Sequence, residues 1–494
     1  MSIPIVIFCL LAVTAIYFYN NPLRHDSRFM VRRFINWFPL GMTYAFLYMG
    51  RYNLAVSKNA LGVLMPKEAF GLIFGIGTWT YALSFLINGP LVDKIGGKKG
   101  IIIAAIGASL ANIVLGILTY LVATGQLKLN LVVAFSVVYS INMYFQSYGA
   151  VSIIKVKAYW FHVRERGIFG AVFGTLISLG VYFAFDWGQA IVNMTKTTAT
   201  ASGPISSLIR GLFVSPNAKV DATWAVFFIP AAVLIGWVLL DWWLIKDTPE
   251  QADFPHLDTH DASSGQMDRD FTTKELLTKV FTSPLLLMIA LVELTSGVFR
   301  NGITQWYTIF AKESPQAGTK FFSDHWGLLL CVFGIVGGFA GGLISDKLFQ
   351  SRRAPPAGIL CGSVLIMAIL MSAFLFSDAR IVALAGLCIV FCAIGITSLM
   401  SGTAATDFGG RKATATCSGI VDGFAYLGSG LQSVSIGFLT GHSWYYWPAF
   451  LMPFAILGAI VSLRIWNELP AATKKYIDEV EGKSGRPDSL LVLD

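Results

Sequence analysis

Long apolar runs separated by short polar segments dominate the hydropathy pattern of this chain. Each run is about 20 residues long, which is the length of an α-helix that crosses the hydrocarbon core of a bilayer. Alternating segments of about ten residues, typical of a membrane β-barrel, do not occur in the sequence. The predicted spans are one N-terminal helix at 3–20 and twelve core helices at 34–62, 69–92, 100–123, 130–154, 167–191, 222–245, 284–311, 323–345, 356–377, 380–402, 414–440 and 443–467.

The composition supports this prediction of an all-α polytopic membrane protein. Hydrophobic residues make up 55% of the 494 residues and charged residues only 13%, whereas about 25% of the residues of a soluble protein are charged. Most of the 36 Lys and Arg residues fall on one side of the predicted bundle. The positive-inside rule makes that side cytoplasmic and places the N-terminus outside and the C-terminal tail in the cytoplasm. The net charge of +8 therefore reflects topology and requires no nucleic-acid partner.

Two polar segments divide the core helices. Residues 192–221 form a predicted external loop, and residues 246–283 form a cytoplasmic loop between two groups of six helices. The N-terminal helix lacks a basic leader and a clear cleavage site, which favours a retained anchor over a signal peptide. The predicted domains are an extra helix with a basic loop (1–33), an N-terminal half (34–245), a central loop (246–283), a C-terminal half (284–467) and a tail (468–494).

The two halves contain a repeated loop. GPLVDKIGGKKG (89–100) follows the second core helix, and GGLISDKLFQSRR (341–353) follows the eighth. Asp in such a loop can pair with a basic residue or cap a helix end, and Gly permits close helix approach. One interpretation is an ordinary charged turn; the repetition favours a conformational latch made of Gly89, Asp93, Lys94, Gly342, Asp346 and Lys347.

Two arginines lie inside predicted spans, and they occupy equivalent places in the two halves. Arg51 is in the first core helix and Arg300 is in the seventh. An arginine at bilayer depth is expensive, at about 2.5 kcal/mol or more, and normally faces a cavity or a partner. One interpretation is an ion pair with a buried acid, for which Asp186, Glu293 and Asp422 are candidates.

The other interpretation is an anion clamp between the halves, where repeat-built transporters bind their substrates. Guanidinium groups suit the geometry of phosphate or carboxylate. A phosphate monoester carries about −1.5 to −2 charge at pH 7, which two arginines nearly neutralise. The pair therefore favours a divalent oxyanion. Tyr44 and Tyr48 share the face of Arg51, and Trp306 and Tyr307 follow Arg300, so these aromatic residues either pack or line the site.

Several segments resemble the organophosphate:phosphate antiporter family of the major facilitator superfamily, which includes glycerol-3-phosphate and hexose-phosphate transporters. They are YAFLYMGRYN (44–53), NMYFQSYG (142–149), WFHVRERG (160–167), KDTPE (246–250), FRNGITQWY (299–307) and RKATATCSGIVDGFAYLG (411–428). The resemblance implies two six-helix halves related by pseudo-two-fold symmetry. It maps the phosphate-binding arginines onto Arg51 and Arg300, and site-lining positions onto Tyr44, Tyr48, Gln146 and Tyr426.

The resemblance also implies a function: exchange of an organophosphate for inorganic phosphate by alternating access, in a functional monomer of the cell (inner) membrane. Two departures concern the pocket, because Phe85 and Ile177 stand where the family often has a lysine and a histidine. Glu293 and Asp422 stand where glycerol-phosphate members are mostly neutral. These acids either carry protons or are a buried pair. Because the pocket departs from the family pattern, the organic part of the substrate is not assigned.

Two other functions compete with this one. A proton- or cation-coupled transporter of organic anions would depend on Glu293 or Asp422, and a membrane sensor would bind a sugar phosphate without transporting it. An enzyme is not expected, since no nucleophile–base arrangement or phosphate-cradling loop is present. The cysteines lie inside apolar runs without clustered His or carboxylate residues, so neither a metal site nor a cofactor is expected.

Overall fold

The computed structural model describes residues 3–19, 21–162, 165–215, 218–257, 275, 278, 281–314, 319–349, 352–401 and 405–468. For 166–171, 346–347, 405–418 and residues 3 and 5, only the helical backbone is described. All regular elements of this part of the chain are helical. The first group of α-helices comprises α1 (Ile3–Tyr19), α2 (Ser27–Leu61), α3 (Lys67–Ile95), α4 (Gly97–Ala123), α5 (Leu131–Trp160), α6 (Arg166–Tyr182), α7 (Gly188–Met194), α8 (Pro204–Phe213) and α9 (Ala225–Leu244).

A second group of helices follows the central loop. It comprises α10 (Pro284–Thr304), α11 (Trp306–Glu313), α12 (Thr319–Asp324), α13 (Trp326–Leu348), α14 (Ala354–Phe374), α15 (Ala379–Leu399), α16 (Ala405–His442) and α17 (Tyr446–Arg464). A π-helical turn at Phe183–Trp187 joins α6 to α7, and α10 and α11 follow one another around Gln305. Each pair therefore forms one long, interrupted span.

Nine helical spans of the described chain are long and apolar enough to cross a membrane. They include the α6–α7 and α10–α11 pairs. The predicted N-terminal span is α1, whose 17 residues make it shorter than the nine. Three further core spans were predicted where α2, α5 and α16 lie, and these helices are 35, 30 and 38 residues long. They fall outside the nine because they are more polar, and α2 alone contains Arg51 and four other basic residues.

The first core helix begins earlier than predicted. Its first residue is Ser27 rather than residue 34, so the basic segment assigned to a loop is mostly helical. The carboxylate of Asp26 accepts a hydrogen bond from the backbone N–H of Arg28 at 3.3 Å, which caps the helix N-terminus. Arg33 lies in the second turn of this helix and is 1% exposed. The predicted start was wrong because the arginines that precede residue 34 were assigned to a loop by their charge, whereas the helix includes them and buries Arg33 against protein.

Arg33 forms an ion pair at the end of the bundle that was predicted to be cytoplasmic. Its Nη1 and Nη2 donate to the two carboxylate oxygens of Glu165 at 2.8 and 2.9 Å, and Nη1 also donates to the Trp160 carbonyl at 3.2 Å. Burial would raise the pKa of Glu165, but hydrogen bonds from His25 and Arg33 outweigh it and lower this pKa to about 2. The carboxylate is therefore ionised at any physiological pH.

The same arginine ties the extra helix α1 to the bundle. Arg33 Nε donates to the Tyr17 hydroxyl at 2.9 Å, and that hydroxyl donates to the Met30 carbonyl at 2.9 Å. Val13 and Tyr17 are buried, and α1 packs against α6. The extra helix is thus a packed part of the first group of helices.

The most extensive contacts between the first group and the second are those of α3 with α16 and of α6 with α13. Glycines let α3 and α16 approach closely. A Cβ on Gly71 would lie 3.0 Å from the Cα of Gly437, and a Cβ on Gly75 would lie 3.1 Å from the Gly430 carbonyl oxygen. Small residues at such positions are typical of close helix crossings in membranes.

Candidate functional site

Arg51 lies in the interior of α2 and is only 1% exposed. Its guanidinium carbon is 4.8 Å from the ring centroid of Tyr48, 4.5 Å from that of Tyr81 and 5.7 Å from that of Tyr426. Each distance is within the range of a cation–π interaction. Tyr426 belongs to α16 in the second group of helices, so the arginine already spans the interface between the groups.

Hydrogen bonds fix the orientation of the guanidinium. Arg51 Nε donates to Gln146 Oε1 at 3.0 Å, and Nη1 donates to the Tyr426 hydroxyl at 3.0 Å. Nη2 is buried and has no hydrogen-bond partner among the described residues. A buried donor without a partner is costly, so this nitrogen is suited to a ligand.

A series of side-chain amides holds Gln146 in place. Gln146 Nε2 donates to Asn142 Oδ1 at 3.1 Å. Asn142 and Asn112 both donate to the Gly50 carbonyl, at 3.0 and 3.2 Å, and Asn53 donates to Asn112. A Cβ on Gly50 would lie 3.0 Å from Asn112 Nδ2. Gly50 therefore leaves room for this amide network, and the network holds Gln146 where it accepts the hydrogen bond from Arg51.

Arg300 lies in α10 and is half-buried. Its guanidinium carbon is 5.7 Å from the Tyr426 ring centroid, the same distance as that of Arg51. The two guanidinium carbons are therefore at most twice that distance apart. Beside them the Tyr52 hydroxyl donates to Asn301 Oδ1 at 3.1 Å, which is a second hydrogen bond between the two groups of helices.

Neither arginine forms an ion pair with a carboxylate in the described part of the chain. The three acids considered as partners have other positions. Asp186 accepts hydrogen bonds from the first backbone N–H groups of α13, Asp422 bonds to Ser401, and Glu293 is fully buried. Two cations therefore lie beside one tyrosine ring, and no carboxylate among the described residues is paired to either of them, so the region carries uncompensated positive charge.

The other aromatic residues predicted for the site are placed differently. Tyr44 is buried, and its ring centroid lies 5.5 Å from that of Tyr48, edge to face. Trp306 contacts Phe70, with 5.6 Å between the ring centroids. Tyr307 stacks on Trp326 with 4.0 Å between the ring centroids. Tyr44 thus contacts Tyr48, which in turn contacts Arg51. Trp306 and Tyr307 pack instead against the aromatic rings of Phe70 and Trp326.

Sequence reasoning missed Tyr81, which makes the shortest aromatic contact with Arg51. The signal was available, because Tyr81 lies four residues before Phe85, on the same face of α3. Phe85 was noted as the residue that replaces a family lysine. It packs near both tyrosines of this region, with its ring centroid 4.8 Å from Tyr81 and 6.2 Å from Tyr426.

The first copy of the proposed latch connects two neighbouring helices. Asp93 at the end of α3 accepts from Lys155 Nζ of α5 at 2.9 Å, while Lys94 is exposed and Gly89 has no atom within 4 Å of an added Cβ. In the second copy, an added Cβ at Gly342 also meets open space. The side chains of Asp346 and Lys347 lie outside the described residues.

Contacts between the two groups of helices close one end of the bundle. Lys67 Nζ donates to Glu313 Oε2 and to the Thr440 carbonyl, both at 2.8 Å. Asp186 accepts from the backbone N–H groups of Gly327 and Leu328 at 2.8 and 3.2 Å. All of these residues lie towards the end of the bundle that was predicted to be external.

The opposite end is held together differently. The ion pairs there, Arg33 with Glu165 and Lys155 with Asp93, each join residues of the first group. Ser345 likewise accepts a hydrogen bond from Arg353 within the second group. Among the described residues, the ion pairs that join the two groups involve Glu313, at the closed end.

Comparison with known proteins agrees with this architecture. Residues 40–433 match the Major Facilitator Superfamily. The membrane sensor protein UhpC of Escherichia coli (strain K12) is 24% identical over 475 residues, which are 92% of this chain and 98% of that protein. The glycerol-3-phosphate transporter of Bacillus subtilis (strain 168) is 24% identical over 435 residues, covering 86% of this chain and 90% of that protein.

A solved structure shares the fold. It is the crystal structure of a bacterial homolog to the human lysosomal transporter Spinster, in an inward-facing and unoccupied conformation. The TM-score is 0.64 at 14% sequence identity, and the match covers 89% of this chain and 96% of the other. The chain belongs to the Major Facilitator Superfamily. The predicted fold class and the resemblance to organophosphate transporters are confirmed, and the family is one of membrane transporters rather than enzymes.

Proposed function

We propose that this protein is a secondary transporter that exchanges an organophosphate, such as glycerol 3-phosphate or a sugar phosphate, for inorganic phosphate. Arg51 and Arg300 hold the phosphoryl group from the two halves of the fold. The observation that carries the proposal is that both guanidinium groups lie 5.7 Å from the ring of Tyr426, with neither paired to a carboxylate among the described residues.

Charge and donor geometry favour phosphate over a monocarboxylate. A phosphate monoester with about two negative charges at pH 7 would balance both arginines, whereas a monoanion would leave one of them uncompensated. Arg51 Nη2 and Arg300 Nε are both buried donors without a partner in the described chain. One nitrogen from each half is therefore available for phosphate oxygens.

Hydrogen bonds across the interface support an alternating-access mechanism. The end closed by Lys67, Glu313 and Asp186 is the predicted external end. On this proposal, the site opens towards the predicted cytoplasmic end. A bound dianion would relieve the repulsion between the two arginines and allow the halves to close over it, whereas an empty site would resist closure. This charge requirement enforces exchange.

Counterflow in proteoliposomes tests the proposal. Inorganic phosphate inside the vesicles should accelerate the entry of labelled phosphate, and phosphate esters added outside should compete with the labelled phosphate. Sulfonates and dicarboxylates of similar size serve as matched competitors. Competition by phosphate esters alone is the expected result. Equal competition by all of these anions would refute phosphate selectivity, and uptake that needs no internal phosphate would refute exchange.

A second function is favoured by one observation: a membrane sensor protein is among the relatives that align over nearly the whole chain, at 24% identity. A sensor would use the same arginines to bind a phosphate ester but would not complete the transport cycle. Binding to the purified protein without counterflow would identify this case. Binding together with counterflow would identify the transporter.

A further inference from the structure

Glu293 is a buried acid that the arginine clamp does not use. It lies on α10, two turns before Arg300, and is 0% exposed. Neither carboxyl oxygen has a partner at hydrogen-bond geometry among the described residues. The hydroxyls of Ser296 and Thr397 lie beside this carboxyl group and hydrogen-bond to each other at 2.6 Å, which leaves one hydroxyl proton for Glu293. The carboxyl group is thus enclosed with fewer donors than an ionised form would need.

Close helix packing keeps water from this region. Gly297 lies against the Ala425 carbonyl, and Gly428 lies against the Leu294 carbonyl, so the backbones of α10 and α16 touch in the turn that follows Glu293. On the other side, a Cβ on Gly458 of α17 would lie 2.9 Å from the Thr295 hydroxyl. A carboxylate cannot be solvated in such a setting, and an unpaired buried charge normally takes up a proton instead.

The ionisable groups around Glu293 come from several helices. Asp422 on α16 is an acid, and it is hydrogen-bonded to Ser401. Cys361 on α14 and the Thr295 hydroxyl both border Gly458 of α17, and Cys392 on α15 is a second buried thiol. Arg300 lies two turns after Glu293 on the same helix and is the cation of this group. The charge of Arg300 and that of an ionised Asp422 act on Glu293 in opposite senses.

We propose that Glu293 is a proton-binding site whose occupancy is linked to the anion held by Arg300. Without an anion, the charge of Arg300 acts on Glu293 and promotes loss of its proton. A phosphate bound to Arg300 cancels that charge, and Glu293 then takes up a proton. By thermodynamic reciprocity, protonation of Glu293 tightens phosphate binding. This inference rests on the proposed function, since it requires phosphate to bind at Arg300.

The size of the linkage follows from the helix geometry. Seven residues along an α-helix span about 10 Å. A unit charge at that distance, in an effective dielectric of about 20, changes proton affinity by about tenfold. A tenfold change corresponds to uptake of at most about half a proton for each phosphate bound.

Calorimetry of phosphate binding in two buffers of different ionisation enthalpy counts these protons. The purified full-length protein is titrated with inorganic phosphate between pH 5 and 8, beside Glu293→Gln as a nearly isosteric control. Phosphate's own titration affects both proteins equally, so the difference between them isolates Glu293. We expect the wild type to take up a fraction of a proton that the variant does not, and the ratio of the two dissociation constants to change up to about tenfold across this range.

Equal proton counts at every pH, with phosphate bound by both proteins, would overturn this inference and leave the proposed function intact. Absence of phosphate binding to the wild type would overturn both. The wild-type buffer comparison also stands without the variant: if Glu293→Gln does not fold, proton uptake no greater than that due to phosphate alone would refute the linkage.

Discussion

Replacing Arg51 by glutamine separates a ligand-binding arginine from a structural one. The substitution removes the charge and keeps a polar amide side chain. A structural arginine would be needed for the stability of the ligand-free protein. Replacing a ligand-binding arginine that has no carboxylate partner should instead change the stability of the ligand-free protein little. It should reduce the stabilisation that added phosphate produces.

The magnitudes can be worked from the site. Removing the charge relieves a desolvation cost of about 2.5 kcal/mol and a repulsion with Arg300 of at least about 1.5 kcal/mol, for charges at most about 11 Å apart at an effective dielectric of about 20. It also loses hydrogen bonds to Gln146 and Tyr426, at about 1 kcal/mol each, and aromatic contacts worth about 2 kcal/mol together. These contributions nearly cancel, so the free energy of unfolding should change by less than about 2 kcal/mol.

The effect on phosphate binding should be larger. Losing one partner of a buried, hydrogen-bonded charge pair costs about 2 kcal/mol or more, which raises the dissociation constant at least ~30-fold. Phosphate at 100 times the wild-type dissociation constant stabilises the wild type by about 2.7 kcal/mol. The same concentration should stabilise Arg51→Gln by about 0.9 kcal/mol or less.

Thermal unfolding in detergent, with and without phosphate, measures both quantities. The rise in Tm caused by phosphate should fall to about a third of its wild-type value or less, while the Tm without phosphate changes little. Arg380→Gln, at an exposed arginine, is the matched control and should behave as wild type. A variant that is strongly destabilised without phosphate but keeps the full phosphate-induced rise would show that Arg51 is structural.

Three other perturbations have expected outcomes. Glu165→Gln should destabilise the fold by about 3–5 kcal/mol, since it leaves Arg33 buried without its counterion. The pKa of Glu165 is lowered to about 2, so the wild type should lose this contribution to stability only as the pH falls from about 4.5 towards 2. Denaturant titration of both proteins across this pH range measures the two effects. Lys67→Met should remove the ion pair with Glu313 and increase labelling of a cysteine introduced at the closed end, whereas unchanged labelling would show that this pair does not hold the end shut. Gln146→Leu should weaken phosphate binding about tenfold, because the clamp loses a positioning hydrogen bond, and an unchanged dissociation constant would contradict that role.

Local patterns were enough to predict most of the helical architecture. Apolar runs located the spans. The structure brings together Arg51, Tyr48 and Gln146 from the predicted site, and Arg300 contacts Tyr426; that these residues bind a substrate stays a prediction. The two arginines could be singled out because a charged residue inside an apolar span is rare enough to signal a partner.

Contacts between distant segments could not be read in the same way. The amide network of Asn53, Asn112 and Asn142 joins three helices, and no spacing within one helix indicates that three asparagines meet. Trp306 was placed near the clamp because it follows Arg300 closely in sequence, yet it starts a new helix and packs on Phe70. The direction of a side chain after a helix interruption depends on the tertiary fold.

The most direct test of the clamp is labelled phosphate uptake into proteoliposomes loaded with phosphate, comparing the wild type with Arg51→Lys and Arg300→Lys. Lysine keeps the charge but loses the forked donors. We predict uptake by the wild type that depends on internal phosphate and is lost in both variants. Uptake that survives in either variant, or that needs no internal phosphate, would contradict a phosphate exchanger that clamps its substrate between two arginines.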